Sequence, residues 1–326
     1  MRILVTGGAG YIGSHAVKAL LEAGHKVEVI DNLATGNRDM VDTRATFHEI
    51  DIHDTAEVAT IMKNGSTDAV MHFAAFSLVG ESGVNPLKYY RNNVEGTRSL
   101  LAAMVKAGVN TLVFSSTAAV YGEPDTVPIV ETHALAPTNT YGETKRAVEA
   151  MLKNVADAHE QFNYVSLRYF NVAGAHHSAQ IGEKHDPETH LIPNVLKSVI
   201  REEDTLKVFG DDYPTHDGSA VRDYIHVEDL VDAHIKALHH VSETQQSEIF
   251  NLGSAQGYSV LEILKKTGEV TGKPVPYTVA PRRKGDPATL VASHQKAHEI
   301  LGWKPRRTLQ TIIESAYRFH KKEWSM

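Results

Sequence analysis

Tyr141 and Lys145 stand four residues apart in Tyr141-Gly142-Glu143-Thr144-Lys145. On a helix, positions i and i+4 share one face. An ammonium held beside a phenol favours the phenolate, so a tyrosine that ordinarily titrates near about 10 becomes a base closer to neutral pH. Upstream, Phe114-Ser115-Ser116-Thr117-Ala118-Ala119-Val120-Tyr121-Gly122 sets hydroxyls at the end of an apolar run. Thr117 or Ser116 would hydrogen-bond a reacting oxygen there and ease the path of its proton to Tyr141. A second grouping is Gly8-Ala9-Gly10-Tyr11-Ile12-Gly13, a G-x-G-x-x-G, and Gly7, Gly10 and Gly13 give G-x-x-G-x-x-G as well. Glycine permits a tight turn and lets backbone approach a pyrophosphate, while a helix N-terminus supplies unpaired N–H groups. Asp31 follows at the distance where an acid accepts hydrogen bonds from ribose hydroxyls and repels a 2′-phosphate, which favours NAD over NADP. A phenol–ammonium pair beside a nicotinamide moves hydride and proton at a carbinol carbon.

The elements that must position these residues alternate. Ile3–Val5 reads as a strand ending in glycines, and Ser14–Glu22 as a helix with Val17, Leu20 and Leu21 at helical spacing and Gly24 at its C-cap. Further strands are expected at Val27–Ile30, Phe47–Ile52, Ala69–Phe73, Thr111–Ser115 and Val165–Tyr169, with a helix over Gly96–Ala107. Strands alternating with helices imply an α/β fold, a Rossmann-type doubly wound parallel sheet that carries ligands at its carboxyl edge. After Tyr169 the texture changes. Ala175–Pro193 and Gly210–Ala220 read as loops, Val195–Arg201 and Val227–His240 as helices, and Leu206–Phe209 and Ile249–Leu252 as short strands. Gly272–Pro287, with four prolines and the triplet Arg282-Arg283-Lys284, reads as a loop lining something. The expected division is a dinucleotide-binding domain over 1–170, with returning segments about 222–252, and a smaller α/β substrate domain over 171–326.

Composition narrows the classes. A net charge of -7 over 326 residues favours neither nucleic acid nor an anionic membrane as a partner. Zero cysteines remove disulfides, thiol nucleophiles and cysteine metal sites. No stretch approaches the roughly 18 apolar residues of a membrane helix. Met1–Val5 run straight into Thr6-Gly7-Gly8 with no charged leader, so a cytoplasmic location is expected. His176-His177 and His239-His240 are adjacent pairs rather than the i, i+4 arrangement of a helical metal site, and no metal is expected. The first pair reads as loop surface, the second as an exposed helix C-terminus whose dipole suits imidazole.

Thr6 to His15, Phe114 to Gly122, the Tyr141–Lys145 pair and Leu167-Arg168-Tyr169-Phe170-Asn171 together resemble the extended short-chain dehydrogenase/reductase family, and within it the UDP-sugar 4-epimerases. The similarity runs from Met1 to about Trp303 and is sharpened by Val221-Arg222-Asp223-Tyr224-Ile225-His226-Val227 and Arg282-Arg283-Lys284-Gly285-Asp286. The resemblance implies a catalytic set of Thr117, Tyr141 and Lys145. It implies an NAD site of Gly7, Gly10, Tyr11, Ile12, Gly13, Asp31, Asn32, Asp51, Ile52, Phe73, Ala74, Ala75, Ser77, Asn92, Ser115, Tyr141, Lys145 and Phe170. UDP would be held by Asn171, Leu191, Phe209, Arg222, Arg283 and Asp286, and the sugar would meet Thr117 and Tyr141. Guanidinium groups suit bidentate phosphate contacts, which agrees with the two arginines.

The implied reaction interconverts UDP-glucose and UDP-galactose through a transient 4-keto sugar and enzyme-bound NADH. The alternatives are decarboxylation, or 4-epimerisation of N-acetylated or pentose nucleotide sugars. Dehydration needs a proton-transferring pair after the strand-end threonine, where this chain has Ala118-Ala119. Two positions depart from some relatives: Ser77 replaces a lysine near the nicotinamide end, and Leu290 occupies a position that gates the sugar pocket. The resemblance also implies a homodimer, formed by pairing the helices near Asn93–Ala107 and Tyr141–Ala158.

Overall fold

The computed structural model describes residues 1–201, 205–283 and 286–324. Six strands, Arg2–Thr6, Lys26–Asp31, Thr46–Glu49, Ala69–His72, Thr111–Ser115 and Asn163–Tyr169, pair in parallel. Across the sheet they lie in the order third, second, first, fourth, fifth, sixth, and Glu248–Leu252 adds a seventh beside the sixth. The inner strands are apolar along their length, and Ile3–Val5, Ala69–Met71 and Leu112–Phe114 are all buried. A strand covered on both faces needs that continuity. The chain leaves the first strand toward one side and enters the fourth on the other, so the order reverses between them. The loops leaving those two strands therefore flank the crevice where such sheets take ligands.

The chain folds into two compact units: Met1–Gly122, Ala134–Arg168 and Val231–Phe250 form the first, and Glu123–His133, Tyr169–Leu230 and Asn251–Met326 the second. In the first, the helices Thr55–Gly65, Gly96–Ala107 and Thr140–Ala158 bury Val58, Met62, Leu100, Met104, Val148 and Leu152 against sheet residues Leu4, Val70, Leu112 and Phe114. In the second, the helices Leu191–Ile200, Val260–Thr271 and Leu309–Trp324 share a core of Ile192, Leu196, Ile263, Ile312, Ile313 and Ala316. Short strand pairs surround it: Asn171–Ala173 with Tyr224–His226, and Val221–Arg222 flanked by Tyr258–Ser259 and Thr289–Leu290. No helix among the described residues is long and apolar enough to cross a membrane.

Several sequence expectations need correction. Gly272–Pro287 is not all loop: Tyr277–Ala280 is a strand paired in parallel with Leu206–Phe209. Its Tyr-Thr-Val core has β character, and the prolines that suggested a loop bracket it. Phe47–Ile52 shortens to Thr46–Glu49, because Asp51 and Ile52 enter the turn that Asp54 closes as a helix N-cap, accepting from Glu57 N at 3.0 Å. His176 is not surface; it is buried with its ring 4.0 Å from that of His177. The helix carrying His239 and His240 continues to Thr244, so neither sits at its end. Lys284 of the basic triplet lies outside the described residues.

One ion pair ties the sixth strand to the helix Thr140–Ala158. The Arg168 guanidinium donates to Glu149 through Nε at 2.9 Å and Nη2 at 2.5 Å, and through Nη1 to the Tyr121 hydroxyl at 2.8 Å. Both ionic side chains are buried, 3% and 5% exposed. Removing one partner leaves the other charge uncompensated away from water. Arg168→Leu is therefore expected to cost about 3–5 kcal/mol of unfolding free energy, and the double variant with Glu149→Leu distinctly less. Denaturant unfolding of the three chains checks this, and a single variant as stable as the double would contradict it.

Candidate active site

The glycine loop follows the first strand. Gly7 is left-handed at φ 74, and a Cβ there would stand 2.5 Å from Ala74 N, in the loop leaving the fourth strand. A Cβ on Gly13 would stand 2.0 Å from the Gly7 carbonyl oxygen. Only glycine lets the turn, the helix start and the neighbouring loop come this close. Gly10 caps the helix Tyr11–Glu22 without a side-chain hydrogen bond, and a helix N-terminus turns its first N–H groups toward the loop. An anionic diphosphate fits that cradle.

Asp31 lies under the same loop. Its carboxylate accepts from Ala9 N at 2.9 Å and Leu33 N at 2.8 Å, while burial pushes its pKa upward. Asn32 donates to Asp51 at 2.9 Å, and Asp51 also accepts from His53 N. The structure thus gathers Asp31, Asn32, Asp51 and its neighbour Ile52 on one side of the loop, an arrangement that suits an adenosine. Phe73, Ala74, Ala75 and Ser77 follow the fourth strand, with Ser77 exposed and the others partly buried. Asn92 lies in a π-helical stretch, Tyr90–Glu95. Phe170 falls in the second unit.

The helix Thr140–Ala158 is capped by Asn139, whose side chain accepts from Gly142 N at 2.8 Å. Tyr141 sits in its first turn. Burial pushes the phenol up to about 12, and a hydrogen bond from the Thr117 hydroxyl draws it back. Thr117, not Ser116, is therefore the strand-end hydroxyl at the phenol; Ser116 donates at 2.6 Å to Glu149. Lys145 lies one turn along the same helix as Tyr141. Its ammonium donates at 2.8 Å to the Ser115 carbonyl and lies 4.7 Å from the Phe114 ring centroid. Burial lowers its pKa to about 7, with Glu149 opposing the fall.

Three supports were not legible in the motifs. Asn93 accepts from Phe76 N at 2.9 Å and donates to Phe76 O at 3.0 Å and Thr144 Oγ1 at 3.1 Å, tying the loop after the fourth strand to the helix Thr140–Ala158. Ser82 Oγ accepts from Tyr141 N at 3.1 Å. His72 spans Thr6 and Thr97 at 2.7 Å and 2.8 Å, held neutral by burial that lowers its pKa to about 3. A buried, paired polar side chain is the common signal, whether on a strand end (His72) or in a helical segment (Ser82, Asn93), and only its contacts reveal it.

The second unit contains a cavity of ≈ 470 Å³, whose lining includes Asn171, Leu191, Phe209, Arg222, Arg283 and Asp286. All six residues expected at a UDP moiety are thus brought together. Arg222 pairs with Asp286 and donates to Val221 O at 2.8 Å. The Arg283 guanidinium lies 4.0 Å over the Phe209 ring. Stacking fixes the plane of a guanidinium and leaves its edge for phosphate oxygens. Leu290 sits opposite Arg222 in a parallel pair.

The chain is similar to known proteins along its whole length. The profile of the NAD dependent epimerase/dehydratase family matches residues 3–253. A UDP-glucose 4-epimerase of Lactobacillus helveticus is 54% identical over 322 residues, 98% of this chain and 97% of that protein. A crystal structure of a UDP-glucose 4-epimerase superposes with a TM-score of 0.97 at 51% identity, covering 99% of this chain and 98% of the other. The Stenotrophomonas maltophila UDP-glucose-4-epimerase, solved with bound NAD and formylated UDP-arabinopyranose, gives 0.97 at 42% identity over 100% and 99% of the two chains. On the profile match, the identity and the coverage alike, the chain belongs to the NAD dependent epimerase/dehydratase family.

Proposed function

We propose that this protein inverts carbon 4 of a UDP-hexose, interconverting UDP-glucose and UDP-galactose, and that the first unit is its NAD unit and the second its UDP-sugar unit. The observation that carries the reading is the Tyr141 phenol hydrogen-bonded to Thr117. It occurs in a chain of this family whose next two residues, Ala118 and Ala119, have no group to transfer a second proton. NAD would be held by the glycine loop over Gly7–Gly13, by Asp31, Asn32, Asp51 and Ile52, and by the loop from Phe73 to Ser77. When bound, it supplies a reversible hydride acceptor for carbon 4 and a positive charge beside the phenol.

Tyr141 takes the proton of the 4-hydroxyl and returns it, so no net proton is gained or lost. At about 12 the phenol stays protonated at neutral pH. Added positive charge brings it within working range. The Lys145 ammonium, one turn along the same helix, adds to that charge. Thr117 bridges the reacting oxygen and the phenol. Arg222 and Arg283 anchor the diphosphate in the cavity, where charge is concentrated.

Purified protein incubated with UDP-galactose and no added cofactor is expected to form UDP-glucose. Tyr141→Phe should lower that rate by about 100-fold or more, the scale of general acid–base catalysis. No conversion even with added NAD would remove this substrate pair. Lys145 gives a second check. It loses its proton at about 7 in the folded chain against an ordinary 10.5. The native state therefore binds fewer protons than the unfolded one between those values, and stability rises with pH across that window. Lys145→Met should abolish both activity and that rise, read by denaturant unfolding at several pH values within it. An unchanged slope would place the titration elsewhere. A cytoplasmic homodimer completes the reading; for the pairing itself the support is Val105, 45% exposed on the helix Gly96–Ala107. Elution at the mass of one chain in dilute gel filtration would remove the dimer.

A further inference from the structure

Four side chains with metal-ligating atoms fall within eight residues of the second unit: Glu183, His185, Glu188 and His190. One ligand atom from each lies within 4.8 Å of the others. Neither adjacent histidine pair in the sequence pointed here, because the spacing belongs to a loop and not to a helix face. The Glu183 carboxylate is 2% exposed and that of Glu188 9%, so both have been taken out of water. Buried carboxylates persist as anions only when paired or bound to a metal.

The distances suit an ion. His185 Nδ1 stands 3.4 Å from Glu183 Oε1 and 3.7 Å from Glu188 Oε2. A tetrahedral ion with bonds of about 2.0–2.1 Å places its ligand atoms about 3.4 Å apart. Two edges of the tetrahedron are thus nearly at their final length. The direct contact of His190 Nδ1 with Glu183 Oε1 must open, and the His190 side chain, 45% exposed, has room to turn, while the other ligand atoms already lie within 4.8 Å of one another. Glu188 is already oriented: its Oε1 accepts from Thr189 N at 2.8 Å and His190 N at 2.9 Å, which turns Oε2 toward His185. Such outer hydrogen bonds are how proteins aim carboxylate ligands. The adjacent ammonium, Lys184, faces Glu323 at 3.2 Å.

A second group, His176, His177 and Glu228, converges as closely. There Arg307 Nη2 lies 2.7 Å from Glu228 and already supplies the cation. We propose that Glu183, His185, Glu188 and His190 bind a divalent transition-metal ion of the zinc class. Two imidazoles with two carboxylates suit zinc, cobalt, manganese or ferrous iron, whereas magnesium and calcium take oxygen ligands. The ion has a structural place. Thr189, His190 and Leu191 line the ≈ 470 Å³ cavity, and His190 is the N-cap of the helix Leu191–Ile200. A metal closing the loop 183–190 would fix the chain as it enters the cavity wall, whatever nucleotide sugar the cavity takes.

The test uses the full chain, stripped with a chelator, given one equivalent of Zn²⁺ or Co²⁺, passed through a desalting column and analysed for metal per chain. The wild type is expected to retain one ion, and the Co²⁺ form to show the intense visible bands of a four-coordinate site. His185→Ala and His190→Ala should weaken retention by about 10-fold or more, the scale on which even outer partners of metal ligands act. His177→Ala should retain the ion. The proposal is overturned if the wild type comes through the column free of metal, if its Co²⁺ spectrum is that of a weakly absorbing six-coordinate ion, or if His177→Ala loses the metal while His185→Ala keeps it. The wild-type spectrum decides the matter even where a histidine variant fails to fold.

Discussion

The Glu149 carboxylate, buried between Arg168 and Ser116, balances two cations at the carboxyl edge of the sheet. Arg168 is its direct partner. Lys145, one helical turn back, feels it at longer range, and Glu149 is what opposes the fall of the lysine pKa. Without that anion, burial alone would set the state of Lys145, and the ammonium that the proposed chemistry requires would be harder to keep. The same carboxylate takes the Ser116 hydroxyl, which leaves Thr117 as the strand-end hydroxyl at the phenol. A single anion thus fixes the strand, the helix and the identity of the bridging residue.

The glycine loop solves a different problem with backbone alone. Its approach to the loop after the fourth strand is so close that side chains are excluded from Gly7 and Gly13. Asp31 supports the turn from beneath through Ala9 N, so the acid proposed to meet ribose hydroxyls also braces the loop proposed to hold the diphosphate. In the second unit, charge rather than backbone makes the pocket: Asp286 holds Arg222, and Phe209 supports Arg283.

Much of this was legible because it is periodic or local. The alternation of apolar strands with helices implied the parallel sheet, and the glycines, Asp31 and the Tyr141–Lys145 spacing marked its carboxyl edge. What was not legible depends on partners distant in sequence. Asn93 and His72 look like ordinary helix and strand residues until Phe76, Thr144, Thr6 and Thr97 are set around them. Tyr277–Ala280 becomes a strand only because Leu206–Phe209 offers it an edge. No expectation covered the helix Val260–Thr271, whose Ser259 and Glu262 form a full capping box in the structure. The position of the Lys145 ammonium is a matter of tertiary electrostatics, and i, i+4 spacing alone does not supply it.

The amide of Asn93 could not be exchanged for a carboxylate without cost. It reads both polar groups of Phe76 in a fixed sense, with its oxygen toward the N–H and its nitrogen toward the carbonyl and the Thr144 hydroxyl oxygen. Hydrolysis of that amide would replace the nitrogen by an anionic oxygen facing two acceptors, and the link between the loop and the helix Thr140–Ala158 would turn from attraction to repulsion. Burial at 2% exposure keeps water from the amide. The amide whose loss would break this link is thus among the driest side chains, and burial protects the tie between loop and helix.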